Sequence, residues 1–275
     1  MDIKQIIYNA LKEDIGKGDI TSLAVVPDRL NIKAVIVARE NGKLAGLNIA
    51  KQVFKTRDKN VKFKLKTRDG SYIRKGQILA EIYGNARSIL SSERVALNFL
   101  QRLSGIATLT DKFVRKVKNT NIKILDTRKT TPNLRILEKY AVRMGGGFNH
   151  RFGLFDGILI KDNHIKIAGS IVSVIKKIRE KYPNMKIEVE AQSLKEVKEF
   201  LKSDFDIIML DNMNILKLKK AIKLINGKYK IEVSGGVNLN NITEISKLKI
   251  DYISIGALTH SVKSLNMSLD IIKVG

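Results

Sequence analysis

Residues 186–212 read KIEVEAQSLKEVKEFLKSDFDIIMLDN. KIEVE and DIIML are short runs rich in Ile and Val, and LKEVKEFLK (194–202) between them repeats its apolar residues at helical spacing. Strand, helix, strand in so short a span is a βαβ unit, which joins parallel strands with a right-handed crossover. The same pattern extends both ways, through KILDT (123–127), GILIKDN (157–163), KIEVSGG (230–236) and YISIGA (252–257), with helical stretches such as SIVSVIKKIREKY (170–182) between most of them. Strands this continuous in apolar residues are buried on both faces. From Ile122 onward the chain therefore predicts a parallel α/β barrel with fewer than eight strands. A doubly wound open sheet competes with it, but neither a G-x-G-x-x-G nor a Walker loop follows any strand.

The first third has a different grammar. It predicts a helix from Ile3 to Lys12, a strand at NIKAVIVARE (31–40), a helix at GLNIAKQVFK (46–55), a period-two strand at VKFKLKTRDG (61–70) and another strand at GQILAEIYG (76–84). Turn signals at Asn41-Gly42, Asp69-Gly70 and Lys75-Gly76 divide them. This is a small α+β domain. A helical block over about 86–118 follows, with Ser91 or Ser92 as its cap and Gly105 expected to break it in two.

Composition narrows the function less than the pattern does. At 275 residues, with 51 Lys and Arg against 27 Asp and Glu, the chain carries +24. A surface this positive suits nucleic acid, anionic membranes or anionic small molecules. The charge is spread along the whole length, and no RNA-binding aromatic signature, zinc finger or basic zipper accompanies it. The absence of cysteine excludes disulfides and thiolate chemistry. With no signal-peptide core and no apolar run of spanning length, the sequence reads as cytoplasmic, without a membrane.

The polar residues at the strand ends carry more. Asp126 with Arg128 and Lys129, Lys161, Glu190, Asp211, Ser234 with Gly235 and Gly236, and Gly256 each close a strand. In a parallel barrel those ends open on one face, where the active site lies. One strand-end charge is usually a cap or a solvated group; six converging on one mouth are not. Arg128, Lys129, Arg151 and Lys161 suit carboxylates or phosphates. The SGG and IGA turns offer backbone N–H groups to a phosphate near helix N-termini. Glu190 and Asp211 suit Mg²⁺, ribose hydroxyls or a developing positive charge. TRKTTPNLR (127–135) holds Arg128, Lys129 and Arg135 and no acid, so substrates rich in carboxylate and phosphate would supply the missing anions. His150, His164 and His260 lack metal-ligand spacing: His164 reads as orienting its loop, while His150 and His260 are either substrate contacts or packed histidines.

DTRKTTPNLRILEKYAVRMGGGFNHRFGLFDGILIKDNH (126–164), with SSERVALNFLQRLSGIAT (91–108) upstream, EVE, LDN, SGG and IGALTHS downstream and KEDIGKGDITS (12–22) at the start, resembles the quinolinate phosphoribosyltransferases. These are the carboxylating nicotinate-nucleotide pyrophosphorylases. The resemblance spans nearly the whole chain; Asn133 stands where the family pattern has glycine. It implies an N-terminal α+β sandwich over 1–110, an incomplete, about seven-stranded barrel over 111–262, and a C-terminal helix over 263–275 returning to the first domain. It implies transfer of a phosphoribosyl group from phosphoribosyl pyrophosphate to quinolinate with loss of carbon dioxide, using Mg²⁺, in a homodimer or hexamer of such dimers. Arg94 from a neighbouring subunit, Arg128, Lys129 and Arg151 would surround the quinolinate carboxylates, with Thr127, His150 and His260 counted among the substrate contacts. Lys161, Glu190 and Asp211 would face the phosphoribosyl group, with Glu190 and Asp211 also the candidates for the metal. Ser234, Gly235, Gly236, Ile255, Gly256 and Ala257 would hold its 5′-phosphate. Lys129, Lys161, Glu190 and Asp211 are the catalytic candidates. Three other readings remain at this point: a molybdenum-related paralogue, an aldolase using Lys161 or Lys129 as a Schiff base, and a basic nucleic-acid-binding protein.

Overall fold

A computed structural model describes residues 2–275. The chain begins with α1 (Ile3–Ile15), α2 (Ile20–Val25), β1 (Asn31–Ala38), β2 (Gly42–Lys43), α3 (Leu47–Arg57), β3 (Lys62–Leu65), β4 (Tyr72–Ile73), β5 (Ile78–Asn85) and α4 (Ala86–Lys116). There follow β6 (Lys123–Leu125), α5 (Arg135–Met144), β7 (Ile158–Ile160), α6 (Asp162–Ala168), α7 (Ile171–Lys181), β8 (Ile187–Ala191), α8 (Leu194–Phe200) and β9 (Ile207–Asp211). The last elements are α9 (Ile215–Ile225), β10 (Lys230–Ser234), α10 (Ile242–Ile245), β11 (Tyr252–Ser254), α11 (Ala257–His260) and β12 (Met267–Val274). They divide into two compact units, one of Met1–Asp111, Thr130–Gly146 and Leu258–Gly275 and one of Lys112–Lys129 and Gly147–Ala257. The division is thus less linear than the expected boundaries at 110 and 262, because Thr130–Gly146 groups with the first unit.

In the first unit an antiparallel sheet runs β12-β1-β5-β3, with β2 and β4 paired separately. Ile36, Ile82, Leu79, Phe54 and Ile7 are fully buried beside it, the apolar surface that drives this unit's folding. The C-terminal helix expected over 263–275 is a strand. β12 lies antiparallel to β1, Met267 opposite Ala38 and Leu269 opposite Ile36. Arg39 reinforces the join, reaching Ser268 Oγ at 2.8 Å and Asp270 at 2.6 Å. The segment does return to the first unit, but as a sheet edge. Nor does Gly105 break the helical block: α4 runs through it unbroken. A Cβ there would lie 2.3 Å from the carbonyl oxygen of Lys263, so the glycine admits a close backbone approach. The helix is capped by Asn85 rather than Ser91 or Ser92, its Oδ1 accepting from Ser88 N at 3.1 Å.

The second unit is the expected parallel sheet, ordered β6-β11-β10-β9-β8-β7. Every residue of β8 is buried, as strands covered on both faces require. The place of a seventh strand is held by a single parallel bridge from Phe148 to Leu125, outside β6. In a flat sheet five inter-strand steps, roughly 24 Å, would separate that segment from β8. Yet His150 Nε2 lies 2.9 Å from Glu188 Oε2 on β8. The sheet is therefore rolled, and its interior is a barrel. Among the described residues no helix is long and apolar enough to cross a membrane.

Candidate active site

β6 ends in Leu125, and Asp126 just beyond it is fully buried. Its carboxylate accepts from the backbone N–H of His150 at 2.9 Å and from the Asn149 side chain. Asp126 thus anchors the segment that carries Arg151. Thr127 Oγ1 accepts from Lys129 N at 3.0 Å and sets the turn on which Arg128 and Lys129 stand. Arg151 donates to the Gly157 carbonyl at 3.0 Å. Burial, then the Arg128 charge, hold its guanidinium below the usual arginine range, while Glu188, Asp156 and Glu190 oppose them. Arg128, Arg151 and the acids of β8 therefore share one electrostatic patch.

Lys161 follows β7 and caps α6; His164 Nδ1 accepts its backbone N–H at 2.9 Å, the loop-orienting role expected of that histidine. The Lys161 ammonium is paired with Glu190 Oε2, which is nearly buried. β9 ends in Asp211, whose Oδ2 accepts from Asn212 Nδ2 at 2.6 Å. Ser234 lies opposite Asp211 in the ladder. Gly235 sits at φ +81°, and a Cβ there would lie 2.3 Å from Asn212 Oδ1, so only glycine fits. The LDN and SGG turns thus interlock, and Asn212 N donates to Ser234 O at 3.0 Å. No helix starts directly at SGG; α10 begins only at Ile242, after an asparagine-rich loop whose Asn241 side chain holds the Gly236 carbonyl at 2.9 Å. α11 does start at Ala257, directly behind Ile255 and Gly256, and Ile255 N is tied to Leu125 O at 3.0 Å.

The second unit thus carries Thr127, Arg128, Lys129, His150, Arg151, Lys161, Glu190, Asp211, Ser234 to Gly236 and Ile255 to Ala257. Arg94, exposed on α4, and His260, bonded to Ser261 Oγ at 2.7 Å, belong to the first. Four acids outside the expected set have structural work. Asp126 is one. Glu138, fully buried in the first unit, takes Arg102 at 2.6 and 2.8 Å and Thr131 N at 3.1 Å, so an acid three residues past TRKTTPNLR anchors part of that loop. Glu188 and Glu232 lie inside the barrel around His150. KIEVE and KIEVS each place a glutamate at their third residue, between Ile and Val on two strands.

A cationic rim with paired acids and glycine turns at the C-terminal ends of rolled parallel strands is the working face of a barrel enzyme for polyanionic substrates. The chain belongs to the quinolinate phosphoribosyltransferase family: its N-terminal domain model matches residues 19–104 and its C-terminal domain model residues 106–270. A probable carboxylating nicotinate-nucleotide pyrophosphorylase from Bacillus subtilis is 46% identical over 272 residues, covering 98% of this chain and 94% of the relative. The crystal structure of NadC from Streptococcus pyogenes is 44% identical, with a TM-score of 0.93 over 98% of this chain and 97% of that one. A nicotinate-nucleotide pyrophosphorylase from Ehrlichia chaffeensis superposes with a TM-score of 0.95 at 43% identity, over 99% of both chains.

Proposed function

We propose that the protein transfers the phosphoribosyl group of phosphoribosyl pyrophosphate to the ring nitrogen of quinolinate, with decarboxylation, giving nicotinate mononucleotide, pyrophosphate and carbon dioxide for NAD biosynthesis. The observation that carries this reading is the pairing of two acids with a surplus of cations on one rim: Glu190 and Asp211 among Arg128, Lys129, Arg151 and Lys161. Two polyanions repel each other in water, and such a rim holds both in reacting geometry.

Arg128, Lys129 and Arg151 take the quinolinate carboxylates, and the SGG and IGA turns take the 5′-phosphate. As the bond from C1 to pyrophosphate breaks, the sugar becomes oxocarbenium-like, and Glu190 and Asp211 stabilise that charge. The pyridine nitrogen then attacks C1. The resulting pyridinium is an electron sink, so the carboxylate beside nitrogen leaves as carbon dioxide. Glu190 and Asp211 would be the residues that hold Mg²⁺, with Glu190 also paired to Lys161. When bound, Mg²⁺ would neutralise charge on the leaving pyrophosphate. Lys161 meanwhile serves as Glu190's counter-ion, an electrostatic role rather than that of a Schiff-base nucleophile. Purified protein given quinolinate, phosphoribosyl pyrophosphate and Mg²⁺ should form nicotinate mononucleotide, and nicotinate should not replace quinolinate. Comparable rates with nicotinate would remove the assignment of the cation cluster.

Arg94 is exposed on α4, and the reading gives it to the active site of a neighbouring subunit in a homodimer in the cytoplasm. Arg94→Ala is then folded, dimeric and nearly inactive. Refolding it together with an inactive Lys161→Ala variant should restore about a quarter of wild-type sites, by random pairing in a two-fold assembly. Verified heterodimers without activity would confine Arg94 to its own subunit.

A further inference from the structure

One level below the rim, the barrel interior holds two acids that the reaction does not use. Glu188 and Glu232 stand on β8 and β10, alternate strands, pairing across β9 with Ile207 and Met209. Alternate strands fill one interior layer of such a barrel, ordinarily with Val, Ile and Leu. Here two carboxyls occupy it, Glu188 6% and Glu232 1% exposed. Burying them costs stability unless they are bonded. His150 enters between them, its Nε2 2.9 Å from Glu188 Oε2 and 3.8 Å from Glu232 Oε2.

The ring's proton can be placed from geometry. His150 Nδ1 accepts the backbone N–H of Arg151 at 2.8 Å. A nitrogen that accepts carries no proton, so the neutral ring is protonated at Nε2, which donates to Glu188. An Nε2 carrying a proton does not ligate a cation, although the three side chains bring their donor atoms within 4.8 Å of one another. Burial, then the Glu188 charge, push Glu232 up to about 8. It is a neutral acid that donates to Glu188, and this accounts for two carboxyls side by side. The Arg151 amide thus donates to His150, and His150 and Glu232 both donate to Glu188, so the bonds converge on that one carboxylate.

We propose that Glu188 is a positioning residue for quinolinate binding: its carboxylate fixes His150 as the Nε2–H tautomer, and the ring in turn holds the backbone amide of Arg151. Asp126 secures the same segment from the other side, by the His150 amide. Between them the Arg151 guanidinium is aimed from a rigid base rather than a loop. This rests on the reading that Arg151 binds quinolinate.

The test compares wild type, Glu188→Gln and Glu188→Leu, varying both substrates, and reads the His150 ring nitrogens by long-range ¹H–¹⁵N NMR. The wild-type ring should be the Nε2–H tautomer, a result that needs no variant to fold. Glu188→Leu should raise the quinolinate KM about ten- to hundredfold, the scale of a lost hydrogen bond to a charged group. Its kcat and its KM for phosphoribosyl pyrophosphate should stay within about twofold. Glu188→Gln keeps an acceptor and should fall between. An Nδ1–H ring in the wild type overturns the proposal. So does an unchanged quinolinate KM in Glu188→Leu, or stoichiometric zinc or manganese in the purified protein that disappears with Glu188. Failure of the wild type to use quinolinate at all instead sinks the functional reading, and is told apart because the tautomer is measured without substrate.

Discussion

Glu188 and Glu190 lie two residues apart on one strand, and both are more than nine-tenths buried, yet their surroundings divide them. Glu190, at the rim, has a lysine as partner; Glu188, one layer down, has a histidine and a second acid. The upper carboxylate is ion-paired with the Lys161 ammonium. The lower one stands against His150 and against Glu232, whose carboxyl is pushed up by burial and by the Glu188 charge. Period-two alternation points both inward, and the local counter-charge decides which of them can serve chemistry and which can serve only geometry.

Glu190→Gln breaks this comparison most directly. It should lower kcat roughly 10²–10³-fold, the scale of one electrostatic contact with the transition state, while the quinolinate KM changes little. Steady-state kinetics showing the reverse pattern would exchange the roles of the two layers. Arg151→Ala should have a smaller effect of the opposite kind: about ten- to hundredfold in quinolinate KM, with kcat largely kept. Glu232 gives the smallest and most specific effect. Its carboxyl sits at about 8 in the fold against an ordinary value of 4.5, raised by burial and by Glu188, with His150 and Ser254 opposing. The native state therefore binds this proton more tightly than the unfolded chain. Glu232's contribution to stability is full below about pH 4.5, declines as pH rises toward about 8, and is flat beyond. Glu232→Gln should flatten the fall in Tm across that window in scanning calorimetry; an unchanged slope would place the proton elsewhere.

The barrel was legible wherever local pattern decides it. The six runs from KILDT to YISIGA are β6 to β11, since continuous Ile and Val between amphipathic helices admit few other folds. Asn133, where a glycine was expected, adopts φ +65°, a conformation that asparagine tolerates. What escaped were contacts between distant residues. Nothing near Met267 announces β1 as its partner, and nothing near Gly105 announces the Lys263 carbonyl that keeps it inside α4. The rim residues could be found because each closes a strand. Glu188 and Glu232 could not be assigned, because their meaning depends on His150 arriving from beyond the opposite edge of the rolled sheet.

The β12–β1 pairing has a consequence for biosynthesis. Arg39 and Ser268, which it joins, are 229 residues apart. At ordinary translation speeds of about 5–20 residues per second, the ribosome takes roughly 10–50 s to deliver the second after the first. Until then β1 has an unpaired edge, the kind of surface that recruits other strands. The barrel unit, by contrast, is almost complete once Ala257 has left the exit tunnel. The usual order of synthesis, N-terminal domain first, is thereby inverted: the later segment matures early and the earlier one waits. Chains truncated before Met267 and released from the ribosome should resist protease in the barrel and be cut within 31–38.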